Sequence, residues 1–208
     1  MDYLQQLINR FPLLEPISND INTAFDIIAK SFSDGGKLLI AGNGGSAADA
    51  EHIVGELMKS FVKKRPLSDS LILNLEKIDS EIAQYLIPRL QSGLPAIALS
   101  GHNSLNTAVT NDIDGNIIFA QQVLGYGKEG DVFLGISTSG NSKNIMYAAA
   151  TAKAKNLKVI VLSGGSGGRL RNLADVSIVV PETETYKVQE LHLPVYHCLC
   201  LMLEDHFF

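Results

Sequence analysis

Five short apolar segments alternate with helical patterns along these 208 residues, and this alternation constrains the fold more than any other feature. Each segment is about as long as one buried strand and too short for a buried helix. The predicted strands are residues 37–41, 95–99, 131–136, 158–162 and 176–180. Strands that alternate with helices favour a doubly wound parallel sheet. We therefore expect an α/β fold with a five-stranded parallel sheet flanked by helices.

The rest of the chain is predicted to be mostly helical. With 46% hydrophobic and 19% charged residues, the chain can bury the core of one domain, residues 1–208. We expect an N-terminal helical segment at 1–34, whose long helix begins near Ser18 because Pro12 and Pro16 interrupt what precedes it. The remaining predicted helices are 47–62, a single amphipathic helix at 71–90 within a helical insertion at 68–93, 103–123 with a break at 111–115, 143–155, and 185–208 with a bend at Pro194.

Charge and composition exclude several kinds of partner. A net charge of −5 argues against a nucleic-acid surface. No run of 18 apolar residues and no signal-peptide pattern is found, so we expect a cytoplasmic protein with no membrane contact. Cys198 and Cys200 are two positions apart on a predicted helix, where side chains do not face each other, so we expect them to stay unpaired.

Two hydroxyl-bearing turns follow predicted strands directly. Residues 42–46 read Gly-Asn-Gly-Gly-Ser, and residues 137–142 read Ser-Thr-Ser-Gly-Asn-Ser; a helix is predicted after each. The N-terminus of a helix attracts anions, and hydroxyl groups add neutral donors for phosphate oxygens. Because both turns follow strands of a parallel sheet, they belong to one edge of it. The sequence therefore predicts a phosphate pocket, with Ser46 also capping the helix that follows it.

This pocket differs from the common nucleotide sites. Neither a Walker A lysine nor a G-x-G-x-x-G pattern accompanies the first turn, so no nucleotide cofactor is expected. A third glycine-rich stretch, residues 164–168, is predicted to be a flexible loop.

Two groups of side chains could carry chemistry near such a pocket. His52 and Glu56 are four residues apart on the helix after Ser46 and share one face, which suits proton transfer or metal ligation. On the last helix, Gln189 and His197 are eight residues apart and lie near one face. Together with Glu190 and His192 they could form a metal site, for which zinc is the most suitable ion.

The order of these segments resembles that of the phosphoheptose isomerases, in the sugar isomerase (SIS) superfamily. The resemblance runs from about Asp20 to Glu204 and includes the two turns. Its other elements are His52-x-x-x-Glu56, Asn111-Asp112 and Gln189-Glu190-x-His192 with His197. It implies an SIS-type, flavodoxin-like three-layer sandwich. It also implies isomerisation of sedoheptulose 7-phosphate to D-glycero-D-manno-heptose 7-phosphate through an enediol.

The resemblance also implies roles for individual residues. It gives Glu56 and His197 as the acid–base pair, and either one could be the base at carbon. It places Ser46, Ser137, Thr138, Ser139 and Ser142 on the phosphate, with Asn43, Gly44, Asn111, Asp112 and Gln189 also at the substrate. It implies one zinc per subunit, held by His52, Glu56, Gln189 and His197, and a homotetramer with shared active sites.

Three departures from the family pattern leave alternatives open. Lys59-Ser60 stands where relatives often have Gly-Arg, so Lys59, Lys63 and Arg65 are the candidates to replace a substrate-facing arginine. Tyr186 stands at a position that is acidic in some relatives, and residues 68–93 form the insertion. An isomerase of another sugar phosphate is thus one alternative. A non-catalytic SIS-domain protein that senses sugar phosphates or binds a replication initiator is the other.

Overall fold

The computed structural model describes residues 2–208, and its centre is a five-stranded parallel sheet. The strands are β1 (Leu38–Ala41), β2 (Ala96–Ala98), β3 (Val132–Ser137), β4 (Lys158–Gly164) and β5 (Val176–Val180). They lie in the order β2-β1-β3-β4-β5, and every neighbouring pair is parallel. The predicted α/β class, the five parallel strands and the flavodoxin-like three-layer arrangement are confirmed.

Helices occupy most of the remaining chain. They are α1 (Tyr3–Arg10), α2 (Ser18–Ser33), α3 (Gly45–Met58), α4 (Asp69–Ile78), α5 (Ser80–Leu86), α6 (Asn103–Val109), α7 (Ile118–Tyr126), α8 (Lys143–Ala154) and α9 (Thr185–Phe207). A π-helical turn at Thr110–Asp114 and a 3₁₀ turn at Gly115–Ile117 separate α6 from α7, which confirms the predicted break. Further 3₁₀ turns lie at Pro12–Ile17, Leu99–Gly101 and Arg169–Leu173.

Successive residues of each central strand enter opposite layers of the core. In β3, Leu134 and Ile136 pack in one layer with residues of α2, α3 and α9, whereas Phe133 packs in the other with residues of α7 and α8. This alternation follows from the two-residue period of a strand. All six residues of β3 are buried, as expected for a central strand covered by helices on both faces.

Three local predictions were wrong. Ser46 lies inside α3, whose N-cap is Gly44 and which has no capping side-chain hydrogen bond. The same helix ends at Met58 rather than near residue 62, because Lys59 is already extended. The single helix expected at 71–90 is two helices, since the Asp79 carboxylate accepts hydrogen bonds from the backbone N–H groups of Glu81 and Ile82 and starts a new helix.

The two helices within residues 68–93, the predicted insertion, lie mostly at the surface. Within α4 and α5 only Ala83 is buried, and Ile78 is 79% exposed. None of the helices within residues 2–208 combines the length and apolar character needed to cross a membrane.

The reversal of strand order determines where a ligand can bind. Strand β1 lies between β2 and β3. The chain therefore runs from β1 to β2 on one side of it, and then crosses back to β3 on the other side. Ligands of such sheets bind at the carboxyl ends of the strands, at this reversal. The turns after β1 and β3 both lie there, because Ala41 is in register with Gly135.

Candidate active site

A pocket of about 330 Å³ opens where the turns after β1 and β3 meet the first turns of α9. Its walls comprise Asn43, Gly44, Gly45, Ser46, Ile136, Ser137, Thr138, Ser142, Thr185 and Gln189. Seven of these residues were predicted as ligand-binding: Asn43, Gly44, Ser46, Ser137, Thr138, Ser142 and Gln189. The two serine turns, 91 residues apart between Ser46 and Ser137, are therefore brought into one site.

Hydrogen bonds hold the two turns together. The amide side chains of Asn43 and Asn144 donate to each other reciprocally, with N···O distances of 3.0 and 2.8 Å. The Oγ atoms of Ser137 and Ser142 lie 3.0 Å apart. Gly44 has φ +56, a conformation that favours glycine and lets the chain enter α3 directly. The hydroxyl groups are thus positioned before any ligand arrives.

The pocket suits an anion although its lining residues are all uncharged. Helices α3 and α8 both begin at its rim, so their N-terminal ends lie at the pocket, although the backbone N–H groups of Ser46 and Ala47 already donate to the carbonyls of Asn43 and Gly44. The positive ends of two helix dipoles add to the hydroxyl donors of Ser46, Ser137 and Ser142. A phosphate group fits this combination of neutral donors and helix termini.

A second cluster, His52, Glu56 and His197, lies further along α3 and α9. His52 Nε2 is 3.2 Å from Glu56 Oε1 and 3.5 Å from His197 Nε2. Glu56 is largely buried, with 14% of its side chain exposed, whereas His52 is 41% exposed. The structure therefore places both members of the predicted acid–base pair, Glu56 and His197, next to Nε2 of His52.

The ring of His52 is held from its other side. Its Nδ1 atom lies 3.0 Å from the hydroxyl oxygen of Tyr196, and that hydroxyl donates to Asp49 Oδ1 at 3.3 Å. The Asp49 Oδ2 atom is buried and has no hydrogen-bond partner within residues 2–208. Because the Tyr196 proton is engaged by a carboxylate, its oxygen is free to accept a hydrogen bond from Nδ1–H of His52.

Burial shifts the pKa values of three groups around this cluster. It lowers the pKa of His197, and the neighbouring His52 lowers it further, while Glu56 acts in the opposite direction. Burial raises the pKa of Asp49, against the hydrogen bond from Tyr196. Burial also raises the pKa of Tyr196, and Asp49 adds to that shift. A neutral His197 imidazole is thereby favoured, which is the form that can take up a proton.

Two parallel helices connect the phosphate pocket to this cluster. At one end Gln189 of α9 packs on Gly45 of α3, where an added Cβ would lie 2.5 Å from the Gln189 amide nitrogen. At the other end His197 meets His52. The rise from Ser46 to His52 along α3 is about 9 Å. An extended sugar phosphate can therefore have its phosphate at the serines and its far carbons at the imidazoles.

Some predicted site residues lie elsewhere. Ser139 is exposed outside the pocket lining, and its Oγ accepts a hydrogen bond from the backbone N–H of Asn141. Asn111 and Asp112 are exposed on the π-helical turn, where the Asn111 amide donates to the Asp112 carboxylate. Asn111 and Asp112 do not line the pocket either. Their contacts with substrate therefore stay predictions.

The predicted metal ligands are only partly assembled. His52, Glu56 and His197 are adjacent, but Gln189 lies on Gly45 at the phosphate pocket. His192, considered with them, is fully buried away from solvent. Within residues 2–208, no group of three or more His, Cys, Asp or Glu side chains has the arrangement of a metal centre. These side chains as they stand do not form a complete zinc site.

The three cations that could replace the missing arginine differ in position. Lys59 Nζ lies 3.1 Å from Glu56 Oε2 and is 61% exposed. Lys63 pairs instead with Asp205, at 2.6 Å. The Arg65 side chain is fully buried and pairs with Glu204. Of the three, only Lys59 is placed with its charge at the carboxylate of the cluster and its side chain open to a substrate.

Sequence reasoning missed Thr185, Asp49 and Tyr196. Thr185 opens α9 and lines the pocket, and a hydroxyl residue at a predicted helix start was the available signal. Asp49 is three residues before His52 and so shares a helical face with it, which was the available signal for Asp49. Tyr196 gave no signal of its own, because only the packing of α9 on α3 brings its hydroxyl to His52.

Comparison with known proteins agrees with this geometry. The model of the SIS domain family matches residues 2–92 and 83–164. A phosphoheptose isomerase of Thermodesulfovibrio yellowstonii is 39% identical over 188 residues, which are 90% of this chain and 81% of that protein. Phosphoheptose isomerase 2 of Campylobacter jejuni is 41% identical over 187 residues, or 90% and 80%. The chain belongs to the phosphoheptose isomerase family.

Solved structures of this family share the fold. A phosphoheptose isomerase from Francisella tularensis superposes with a TM-score of 0.77 at 32% identity, covering 98% of this chain and 95% of that one. A phosphoheptose isomerase from Neisseria gonorrhoeae gives a TM-score of 0.74 at 29% identity, covering 97% and 91%. The chain is thus an isomerase of the SIS fold, with a sugar phosphate as its class of substrate.

Proposed function

We propose that this chain converts sedoheptulose 7-phosphate into D-glycero-D-manno-heptose 7-phosphate, a step in heptose biosynthesis. The observation that carries the proposal is the cluster in which Glu56 and His197 both lie within 3.5 Å of His52 Nε2. The family relationship supports the reaction type. A sensor would need the phosphate pocket but no acid–base pair, so this cluster favours the enzyme over the non-catalytic alternative.

The proposed mechanism moves one proton between carbons and one between oxygens. The serine pocket holds the phosphate, and α3 and α9 direct the open sugar chain toward the cluster. Glu56 takes a proton from C1 of the ketose, which gives an enediol, and returns it to C2. His197 moves a proton from the C1 hydroxyl to the oxygen on C2, so the aldehyde forms at C1. No electrons leave the sugar, and no redox cofactor is needed.

The test is turnover of sedoheptulose 7-phosphate by the wild-type chain and by Glu56→Gln. The wild type is expected to form the aldose, and the variant to lose at least about two orders of magnitude in kcat, as for removal of a general acid–base group. Glu51→Gln is a matched control on the same helix, because Glu51 contacts Ser100 rather than the cluster. Equal activity of Glu56→Gln and wild type would refute the role of Glu56, and absence of wild-type turnover would refute the reaction.

Zinc remains a proposal supported by the donor chemistry of the cluster. Two imidazoles and a carboxylate are ligand types that zinc takes, and His52, Glu56 and His197 lie side by side, but their side chains would have to rearrange to close around an ion. When bound there, zinc would polarise a substrate carbonyl. Metal analysis after dialysis against zinc should give one ion per wild-type chain and less in His52→Ala. Equal zinc content in both proteins would exclude His52 as a ligand.

We also propose a homotetramer in the cytoplasm. Exposed apolar side chains on α4 and α5 support an assembly, among them Leu73 at 54%, Ile78 at 79% and Ile82 at 53%. The buried free thiols Cys198 and Cys200 suit a reducing compartment. Sedimentation should give about four times the chain mass of 22.5 kDa. A monomer at micromolar concentration would refute the assembly.

A further inference from the structure

One buried ion pair lies between the two helices that carry the acid–base pair. The side chains of Arg65 and Glu204 are both 0% exposed, and Arg65 Nε donates to Glu204 Oε1 at 2.8 Å. Arg65 lies seven residues after Met58, the last residue of α3, whereas Glu204 lies near the end of α9. A charged pair this deeply buried is expensive unless its other polar atoms are also satisfied.

Two more donors of Arg65 are used at the end of α3. Its Nη1 atom donates to the Leu57 carbonyl at 2.6 Å, and its Nη2 atom donates to the Glu56 carbonyl at 2.9 Å. Both carbonyls belong to the last turn of the helix, where no residue of the helix itself can bond them, and the Leu57 carbonyl also accepts from the backbone N–H of Leu94 at 2.9 Å. Arg65 therefore restrains the backbone of Glu56 itself.

Glu204 in turn holds the loop that follows α3. Its Oε1 atom accepts from the backbone N–H of Phe61 at 2.8 Å, and its Oε2 atom accepts from Val62 at 2.9 Å and Lys63 at 3.1 Å. The Phe61 ring then packs against the His197 ring, with centroids 5.4 Å apart. The backbone bond to Phe61 thus fixes the side chain that covers His197.

Glu204 and His197 also share one face of α9. They are seven residues apart, or about 10 Å along the axis. From this face the Glu204 carboxylate reaches Arg65, and Arg65 reaches the Glu56 carbonyl. A single chain of contacts therefore runs from the helix of His197 to the backbone of Glu56.

We propose that Arg65 and Glu204 are positioning residues that set the spacing between Glu56 and His197. This inference rests on the proposed isomerase function. Two helices packed through apolar side chains alone can shift along each other, whereas a carboxylate with four directed donors allows one register. A shift of about 1 Å at reacting groups can cost about 100-fold in rate. Neither residue lines the pocket that holds the phosphate.

The first test compares Glu204→Gln with Asp205→Asn in steady-state turnover of sedoheptulose 7-phosphate. Glu204→Gln removes the charge and places an amide donor against N–H donors, so we expect kcat to fall about 10- to 100-fold with KM within about twofold. Asp205→Asn removes the adjacent carboxylate, which is partly exposed and pairs with Lys63 at 2.6 Å, and should leave both constants near wild type. Wild-type kcat in Glu204→Gln would overturn the proposal.

A second variant separates positioning from stability. In Arg65→Met/Glu204→Leu an apolar pair of similar volume replaces the ion pair, so no buried charge is left unpaired, but the backbone N–H groups of Phe61, Val62 and Lys63 lose their acceptor. We expect a lower melting temperature than that of the wild type, a chain that is still folded at the assay temperature with unchanged binding of inorganic phosphate, and a kcat as low as in Glu204→Gln. A folded double variant with wild-type kcat would contradict the inference even if Glu204→Gln is slow. Lack of turnover by the wild type would instead refute the function on which it rests.

Discussion

His192 should make the stability of this protein depend on pH. Its imidazole is 0% exposed, and burial lowers its pKa from 6.5 to about 4, while the backbone of Ser163 opposes the shift. Neither ring nitrogen makes a well-formed hydrogen bond within residues 2–208. The folded protein therefore keeps this ring neutral at a pH where the unfolded chain protonates it.

The sign and size follow from proton linkage. A folded pKa below the unfolded one gives stability that is complete above the unfolded value of 6.5 and is lost as pH falls toward about 4. Between pH 8 and pH 5 this group alone should remove about 2 kcal/mol, and about 3 kcal/mol once both states are protonated. The loss should level off only about one pH unit below 4, where the folded ring is also protonated.

The assay is urea unfolding of wild type and His192→Gln at pH 8, 6.5 and 5. The variant has no imidazole at this position to titrate. From pH 8 to pH 5 the unfolding free energy of the wild type should therefore fall by about 2 kcal/mol relative to that of the variant. His206→Gln is the matched control on the same helix, because its side chain is exposed and hydrated in both states. A difference that stays constant with pH, or the same drift in the control, would show that His192 is not held neutral by burial.

Three further variants test the site. Ser137→Ala removes a pocket hydroxyl and should raise KM about 10-fold with little change in kcat, as for one hydrogen bond to a charged group; an unchanged KM in steady-state kinetics would contradict its role. Gly45→Ala places a Cβ 2.5 Å from the Gln189 amide nitrogen and should weaken binding of inorganic phosphate in calorimetry. Gly55→Ala meets nothing within 4 Å and should stabilise the protein by about 0.5–1 kcal/mol in urea unfolding, with phosphate binding unchanged. If Gly45→Ala binds phosphate like Gly55→Ala, the contact between Gly45 and Gln189 does not shape the pocket.

The class of fold and the phosphate pocket could be predicted because both depend on local patterns. Five apolar segments between helices favour a parallel sheet, and the residues 42–46 and 137–142 must follow strands β1 and β3 wherever those strands lie. Parallel strands end at the same edge, so the two serine turns could be expected to meet. The i,i+4 pair of His52 and Glu56 was equally readable, since one helix holds both.

The acid–base cluster and its supports depend on the packing of α3 against α9, which no local pattern specifies. His52 and His197 are 145 residues apart in the chain, and Arg65 and Glu204 are 139 apart. Helix ends were also misjudged, because the stop at Met58 and the break at Asp79 arise from an extended residue and from a capping carboxylate. Residue order therefore determined which chemical groups the chain carries and which local turns present them. The distances between those groups follow from how distant helices pack on the sheet, because side-chain contacts between them form only in the folded core.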